Sequence, residues 1–244
     1  MIRGVLAAAS MALLLLVRPV FGADSLRHFT LLESPARPFP TRLVLLPPDV
    51  AVKEISAGGI MDPVPEWTEQ ANANIKAELR AQFADRPEFS LVDAPEFSAE
   101  EKARLEDFQA SYMVVGATAH WATTLGGGEW AHKRNHFDYT LGEGLAFVRE
   151  KTGADAAVMV IGEDYVSSSG RKAAMIVGAM LGVGIAGGAS AILVGVVDLN
   201  NGDILWMHFD RSGIKDLKDR ESVKAMMTAI LATLPVSGGK LALR

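Results

Sequence analysis

The chain reads as an α/β protein, a mixed sheet layered with helices that ends in a β-hairpin and an amphipathic helix. Three observations predict this. Ala156–Ile161 is a short, continuously apolar run of the kind a strand covered on both faces shows. Ala189–Leu199 and Ile204–Phe209 are two further apolar runs separated by Asn200-Asn201-Gly202-Asp203, where Asn-Gly suits a tight hairpin turn. Segments with 3.6-residue apolar spacing alternate with the strand candidates, which fits layers of helix on sheet better than a bundle or a sandwich.

In chain order, Asp24–Pro40 carries Pro35, Pro38 and Pro40 without periodicity and is expected to be an extended lead-in over residues 23–40. Arg42–Leu46 is a strand candidate stopped by Pro47-Pro48, and Asp49–Ser56 a second, closed by Gly58-Gly59. Pro65–Ala84 is a helix, with Ala71, Ile75, Leu79 and Phe83 at four-residue steps and Trp67 extending the stripe. Glu88–Val92 is a short strand. Ser98 with Glu101 forms a capping-box signal, and helical spacing runs from there to about Trp121, with a strand at Val114-Val115 as the alternative. A polar loop then runs from Gly126 through His136. Asp138 or Thr140 is expected to start a helix that stops at Gly153, with Leu141, Leu145 and Val148 on one face. Asp219 or Ser222 starts the last helix, which ends at Leu234-Pro235. Its apolar face is Val223, Met226, Met227, Ile230, Leu231 and Leu234. One domain over residues 41–235, with a tail at 236–244, is the expected organisation.

Met1–Gly22 has the layout of a secretory signal peptide: Arg3, an apolar core Val5–Val17, and small residues near the end. Cleavage after Gly22 places Val20 and Gly22 at the two small-residue positions. An uncleaved membrane anchor is the competing reading, and both imply export. Removal of residues 1–22 takes away Arg3 and Arg18 and no acid. It leaves 22 basic against 29 acidic side chains, a net charge of −7. That balance argues against binding nucleic acid or anionic lipid by charge. The chain has no cysteine, so disulfides, thiolate metal sites, thiol nucleophiles and a cysteine-borne lipid are excluded; a periplasmic location fits best.

Ala173–Val197 holds 25 residues without a charge. A membrane span needs about 20 apolar residues. Against one stand six glycines between Gly178 and Gly195, the use of the C-terminal part as a hairpin strand, and basic residues on the wrong side for the positive-inside tendency. The preferred reading is an apolar helix over about Arg171–Ile185, buried in the fold. A segment that contacts or enters a membrane on assembly, helped by the small-xxx-small spacing of Gly178 and Gly182, is the alternative.

Candidate chemistry is sparse. Gly182–Gly187 matches G-x-G-x-x-G, but a β-rich run follows it and Met207 stands where an acid would hold the ribose. Ser169–Lys172 matches S-x-x-K and Lys151–Gly153 matches K-T-G, in the reverse of the order penicillin-binding enzymes use. His120, His132 and His136, with Asp138 and Glu143, are metal-ligand types, though a loop opening on three glycines does not align imidazoles as a helix would. No catalytic, cofactor or metal residue is therefore assigned, and no cofactor is expected. Glu163–Arg171 is read as a polar loop at a strand end, where sites gather. Ser169 is expected to cap the following helix, and Arg171 to pair with Asp164 or Glu163. Candidate partner-binding residues are Trp121 and Trp130, flanking the triglycine loop, together with Asp164, Ser168 and Arg171.

Gly153-Ala154-Asp155 before an apolar strand, then a hairpin with Asp198, Gly202 and Trp206, resembles exported bacterial lipoproteins of the envelope. That group includes the curli secretion-channel component and activators of penicillin-binding proteins. Asn201 stands where that group has Thr, and its lipid-bearing cysteine is absent. The resemblance implies a small α/β domain used for assembly or regulation and supplies no active-site residue. The functional expectation is thus a non-enzymatic exported module that binds another envelope protein or itself. The competing expectations are an exported hydrolase or metal-dependent enzyme using loops 120–136 and 163–171, and a membrane-inserted protein using residues 173–197.

Overall fold

The computed structural model describes residues 25–33, 36–124, 128–134, 136–211 and 216–236. The expected signal peptide, its cleavage point and most of the 236–244 tail lie outside them. Among the described residues, strands β1 (Ser25–Arg27), β2 (Arg42–Leu45), β3 (Asp49–Ile55), β4 (Met61–Pro63), β5 (Ser90–Asp93), β6 (Ala156–Ser167), β7 (Ala189–Asp198) and β8 (Ile204–Asp210) form one mixed sheet. The path across it is β1-β8-β7-β6-β2-β5. The helices are α1 (Pro65–Ala84), α2 (Ala99–Thr124), α3 (Ala146–Thr152), α4 (Ser169–Met180) and α5 (Arg220–Leu231).

β6 is the central strand. On one side it pairs antiparallel with β7 along its length, from Ala156↔Asp198 to Tyr165↔Ala189. On the other it pairs in parallel with two strands end to end, β2 over Ala156–Val158 and β3 over Ile161–Ser167. Pro47-Pro48 makes the break between those two, since neither proline can donate to a ladder. The continuous apolar run follows from burial on both faces. Ala156, Val158 and Val160 meet α1 and α5 through Ile75, Leu79, Met227 and Ile230. Ala157, Met159 and Ile161 meet α2 and α3 through Leu105, Tyr112 and Val148.

α2 lies close on β7 because two glycines permit it. A Cβ on Gly116 would overlap Leu193, and one on Gly195 would overlap the Tyr112 hydroxyl. The expected capping box forms as drawn: Glu101 Oε2 accepts from the Ser98 N–H at 2.8 Å, and Ser98 Oγ from the Glu101 N–H at 3.2 Å. Val114-Val115 is helical. α1 keeps its bounds and buries Ala71, Ile75, Leu79 and Phe83. Asp219 caps α5 through the Ser222 N–H at 2.8 Å.

Four expectations are corrected. Ser25–Arg27, in the segment read as an extended lead-in, pair with Trp206–His208 as an edge strand. No helix starts at Asp138 or Thr140. Thr140 bridges to Asp203 and the helix begins at Ala146, because Gly142 packs its backbone against Gly202 in the hairpin turn. β6 runs on through Glu163–Ser167 instead of giving way to a loop. The apolar helix is neither as long as expected nor buried. α4 stops at Met180, and Ile176, Val177, Met180, Leu181 and Val183 are all more than half exposed.

The stop has a physical cause. The Gly182 N–H donates to Ala179 O at 3.1 Å and the Val183 N–H to Gly178 O at 2.8 Å, with Gly182 at φ 74°. That is a Schellman ending. Val183 and Ile185 then fold back on Gly178, so the Gly178/Gly182 pair closes a helix end and is not a packing face for a second helix. Residues 173–197 thus divide into helix, loop and strand. Among the described residues no helix is long and apolar enough to cross a membrane.

Candidate functional site

The C-terminal end of β6, the β3–β4 turn, α4 and the loop 181–188 meet at one end of the sheet. β6 delivers them there: Ile55 pairs with Ser167, and the Ser168 N–H donates to Ile55 O at 3.0 Å. Ser168, not Ser169, caps α4. Its Oγ accepts from the Arg171 N–H at 3.1 Å with the residue in an extended conformation. Gly170 lies against Ala57 of the β3–β4 turn.

Arg171 pairs with neither expected carboxylate. Its Nε and Nη2 donate to Ala186 O at 3.0 and 2.8 Å, which ties the loop 181–188 to the start of α4. Glu163 instead accepts from Lys53 Nζ at 2.7 Å and from the Tyr165 hydroxyl. Those two hydrogen bonds hold the Glu163 carboxyl below its usual range; the first of them raises the Lys53 ammonium in turn. Asp164 is fully buried on the opposite face. Its Oδ1 accepts from the Ser190 hydroxyl at 2.6 Å and its Oδ2 from the Leu217 N–H at 3.2 Å. Burial pushes its pKa up, against the lowering effect of those two donors.

Trp121 and Trp130 sit apart from this cluster in sequence, on the last turns of α2 and on a 3₁₀ turn at Gly128–Lys133. Both are exposed by more than two fifths. The last turns of α2 lie over the middle of β7 and β8, since the His120 ring packs 5.1 Å from Phe209, whose ladder partner Leu193 is opposite Ile161 of β6.

The histidines do not converge. His120 packs on Phe209, His132 Nδ1 lies 2.9 Å from Glu129 O, and His136 packs on Phe29 with Nε2 3.4 Å from Asp138. No group of three metal-ligand side chains gathers among the described residues. Gly182–Gly187 follows a helix and precedes a strand, the reverse of a dinucleotide turn. Lys151 of the K-T-G run pairs with Glu101 at 2.6 Å, and Thr152 donates to Val148 O. Of the loops named in the competing hydrolase or metal-enzyme expectation, the histidines stand apart, and Ser168 Oγ accepts from the Arg171 N–H as the α4 cap.

The residues that carried the envelope resemblance have structural roles. Gly153 ends α3 at φ 65°, a left-handed value that favours glycine. The Asp155 N–H donates to Arg42 O, and Asp155 O accepts from Leu199. Asp198 and Asp203 both bind Arg37, Gly202 turns the hairpin, and buried Trp206 donates to Ser25 Oγ at 3.1 Å.

What the preferred sequence reading misses is an apolar surface over Ile176, Val177, Met180, Leu181 and Val183, with Ile60 of the β3–β4 turn and Met61 at the start of β4 also exposed. Met180 and Leu181 are 80% and 75% exposed, values unusual for side chains this apolar in a folded domain. The uncharged run is the available signal; the preferred reading as a buried helix hides it, while the assembly alternative leaves it exposed.

No family model and no curated protein matches the chain. Among solved structures, the chain is similar to the LpoB C-terminal domain from Salmonella enterica at 12% identity. That alignment covers 72% of this chain and 84% of the other, with a TM-score of 0.26. It is similar to lipoprotein GNA1162 from Neisseria meningitidis at 14% identity, over 80% of this chain and all of the other, with a TM-score of 0.31. A PelC dodecamer from Paraburkholderia phytofirmans aligns at 12% identity over 80% and 84%, with a TM-score of 0.28. These are distant likenesses, and no function is drawn from them.

Proposed function

We propose that the protein is a non-enzymatic envelope module that docks another protein through the end of the sheet where α4 projects. In this reading residues 1–22 are an export signal and residues 41–235 a single binding domain in the periplasm. One observation carries the proposal: the exposed apolar surface of α4 and the loop after it. Contiguous apolar patches of more than a few hundred Å² on a folded domain mark interaction sites. Hydrophobic burial at about 25 cal/mol per Å² favours covering it.

The surface is also held in shape. The Schellman ending and the two Arg171 donors to Ala186 fix the loop against the helix, so little ordering entropy opposes docking. Of the candidate partner residues, Ser168 and Arg171 position this surface without forming it, and Asp164 anchors the strand beneath. Trp121 and Trp130 are exposed and of the type that anchors interfaces, and we hold them as a separate candidate contact.

The test is site-specific photo-crosslinking in the native envelope, with the crosslinker at Met180 or Leu181 and a control at exposed Glu106. Adducts of defined mass from the α4 positions alone are expected. A monomeric purified protein together with no adduct in cells would refute it. Carbonate extraction of the chain lacking residues 1–22 separates protein docking, which releases the chain, from lipid contact through Ala173–Val197, which retains it.

A further inference from the structure

The sheet is open along β5. The Ser90 N–H donates to Thr41 O at 2.8 Å and the Ala94 N–H to Leu45 O at 3.1 Å, so the backbone groups of Ser90, Val92 and Ala94 turn toward β2. Those of Leu91 and Asp93 turn the other way, where β5 has no second ladder. Neither N–H finds a partner among the described residues. Each chain thus presents two N–H and two C=O groups in a line. Two common protections of such an edge are missing. β5 has neither proline nor lysine, while β4 ends on Pro63. Val92 adds an apolar side chain that is 40% exposed.

We propose that β5 pairs antiparallel with β5 of a second copy of this chain, with Val92 on the two-fold axis, joining the two sheets into one. The spacing of the free groups selects this partner. Two outward residues flanking one inward residue are self-complementary about that axis. Leu91 stands opposite Asp93 of the second copy, and Asp93 opposite its Leu91, as hydrogen-bonded pairs that meet all four N–H and all four C=O groups. Val92 meets its own counterpart across the non-hydrogen-bonded gap, where side chains approach most closely. An axis at Asp93 would set carboxylate against carboxylate and offer Leu91 only Pro95, which has no N–H. Charge agrees with the Val92 axis. A cavity of about 450 Å³ beside the edge is lined by Phe83, Phe89, Leu91, Arg80 and Arg86. Arg80 is committed to Asp93 of its own chain at 2.9 and 2.6 Å. Arg86 gives one N–H to Leu231 O at 2.9 Å and makes no ion pair among the described residues. Asp93 of the second copy, placed opposite Leu91, brings a carboxylate to the side of the sheet on which that cavity opens. The pairing does not involve α4.

The chain has no cysteine, so an introduced one reports alone. Cα atoms of a non-hydrogen-bonded antiparallel pair lie about 4.5 Å apart, within the reach of a disulfide. On mild oxidation, purified full chain carrying Val92→Cys is expected to link into a dimer at least about tenfold faster than Glu106→Cys on α2 or Leu91→Cys, which faces Asp93. In the wild-type chain, raising the concentration is expected to slow amide exchange at Leu91 and Asp93. Val92→Lys adds the charge that protects natural edges and is expected to weaken self-association by at least about tenfold in sedimentation. Val92 is exposed, so this variant keeps the fold, which its melting temperature checks. Equal linking at Glu106 and Val92, faster linking at Leu91, or a wild-type chain that stays monomeric with exchange at Leu91 and Asp93 independent of concentration overturns the pairing.

Discussion

Gly195→Ala sets two effects of opposite sign against each other at the closest contact between α2 and the sheet. Replacing glycine by alanine in a strand stabilises a protein by about 0.4–1 kcal/mol where the site accepts the methyl, by restricting the unfolded chain. Here it does not. The new Cβ would overlap the Tyr112 hydroxyl, lie 2.8 Å from Tyr112 Cζ and sit 3.0 Å from Trp206 O. Tyr112 and Trp206 are both fully buried, so neither ring can swing into solvent. Overpacking of this kind costs about 1–3 kcal/mol or more, and with two fixed neighbours the upper figure applies. For a domain of this size that is a fall in melting temperature of roughly 6–12 °C.

Tyr112→Phe separates the causes. The buried hydroxyl finds no partner among the described residues, and burial alone holds the phenol far above its ordinary pKa. Removing it is expected to be neutral or stabilising. In that background the alanine meets only the ring edge, and its cost is expected to drop to about half. Thermal melts of the two single variants and the double variant complete the cycle. A Gly195→Ala protein melting within a degree of wild type, or the same loss in both backgrounds, would refute the packing argument.

Ser168→Ala is expected to cost about 0.5–2 kcal/mol by uncapping α4, measured by urea denaturation, while leaving α1 and α5 unaffected by hydrogen exchange. Arg171→Met is expected to speed amide exchange over residues 181–188 with little change in global stability, because it releases Ala186 O and nothing in the core. Asp164 gives a pH signature. Its folded pKa is raised, so the folded state binds the proton more tightly. Its contribution is therefore fully present below the ordinary Asp value of 3.8 and is lost as pH rises through the raised value. Asp164→Asn is expected to remove that fall, and an unchanged dependence of urea midpoint on pH would count against it.

The parts legible in the sequence are those where one periodicity acts alone. α1 shows this through Ala71, Ile75, Leu79 and Phe83, and the hairpin through its Asn-Gly turn. The capping box at Ser98 and Glu101 and the stop at Gly153 are local hydrogen-bond chemistry and were equally readable. β6 was only half legible because Gly162, Glu163 and Asp164 break its apolar run. Their reasons are non-local: a Cβ on Gly162 would overlap Ala191 O, Glu163 answers Lys53 from β3, and Asp164 answers Ser190 from β7. Residues 138–145 kept a helical spacing that the Gly142–Gly202 contact overrides. The exposure of α4 was invisible for a different reason: apolar composition signals a wish for burial and cannot say whether the burying surface belongs to the same chain.

The shared flank of β6 has a consequence for assembly. Synthesised or threaded N-terminus first, the chain can form β2 with β5 and β3 with β4 early, since each pair is complete by residue 93. These two fragments have no ladder joining them until residues 156–167 arrive and stitch both at once. The first half of the molecule therefore waits on a late-coming splint, and a chain cut short before it would hold two ribbons bridged by α1 alone, with no ladder between them.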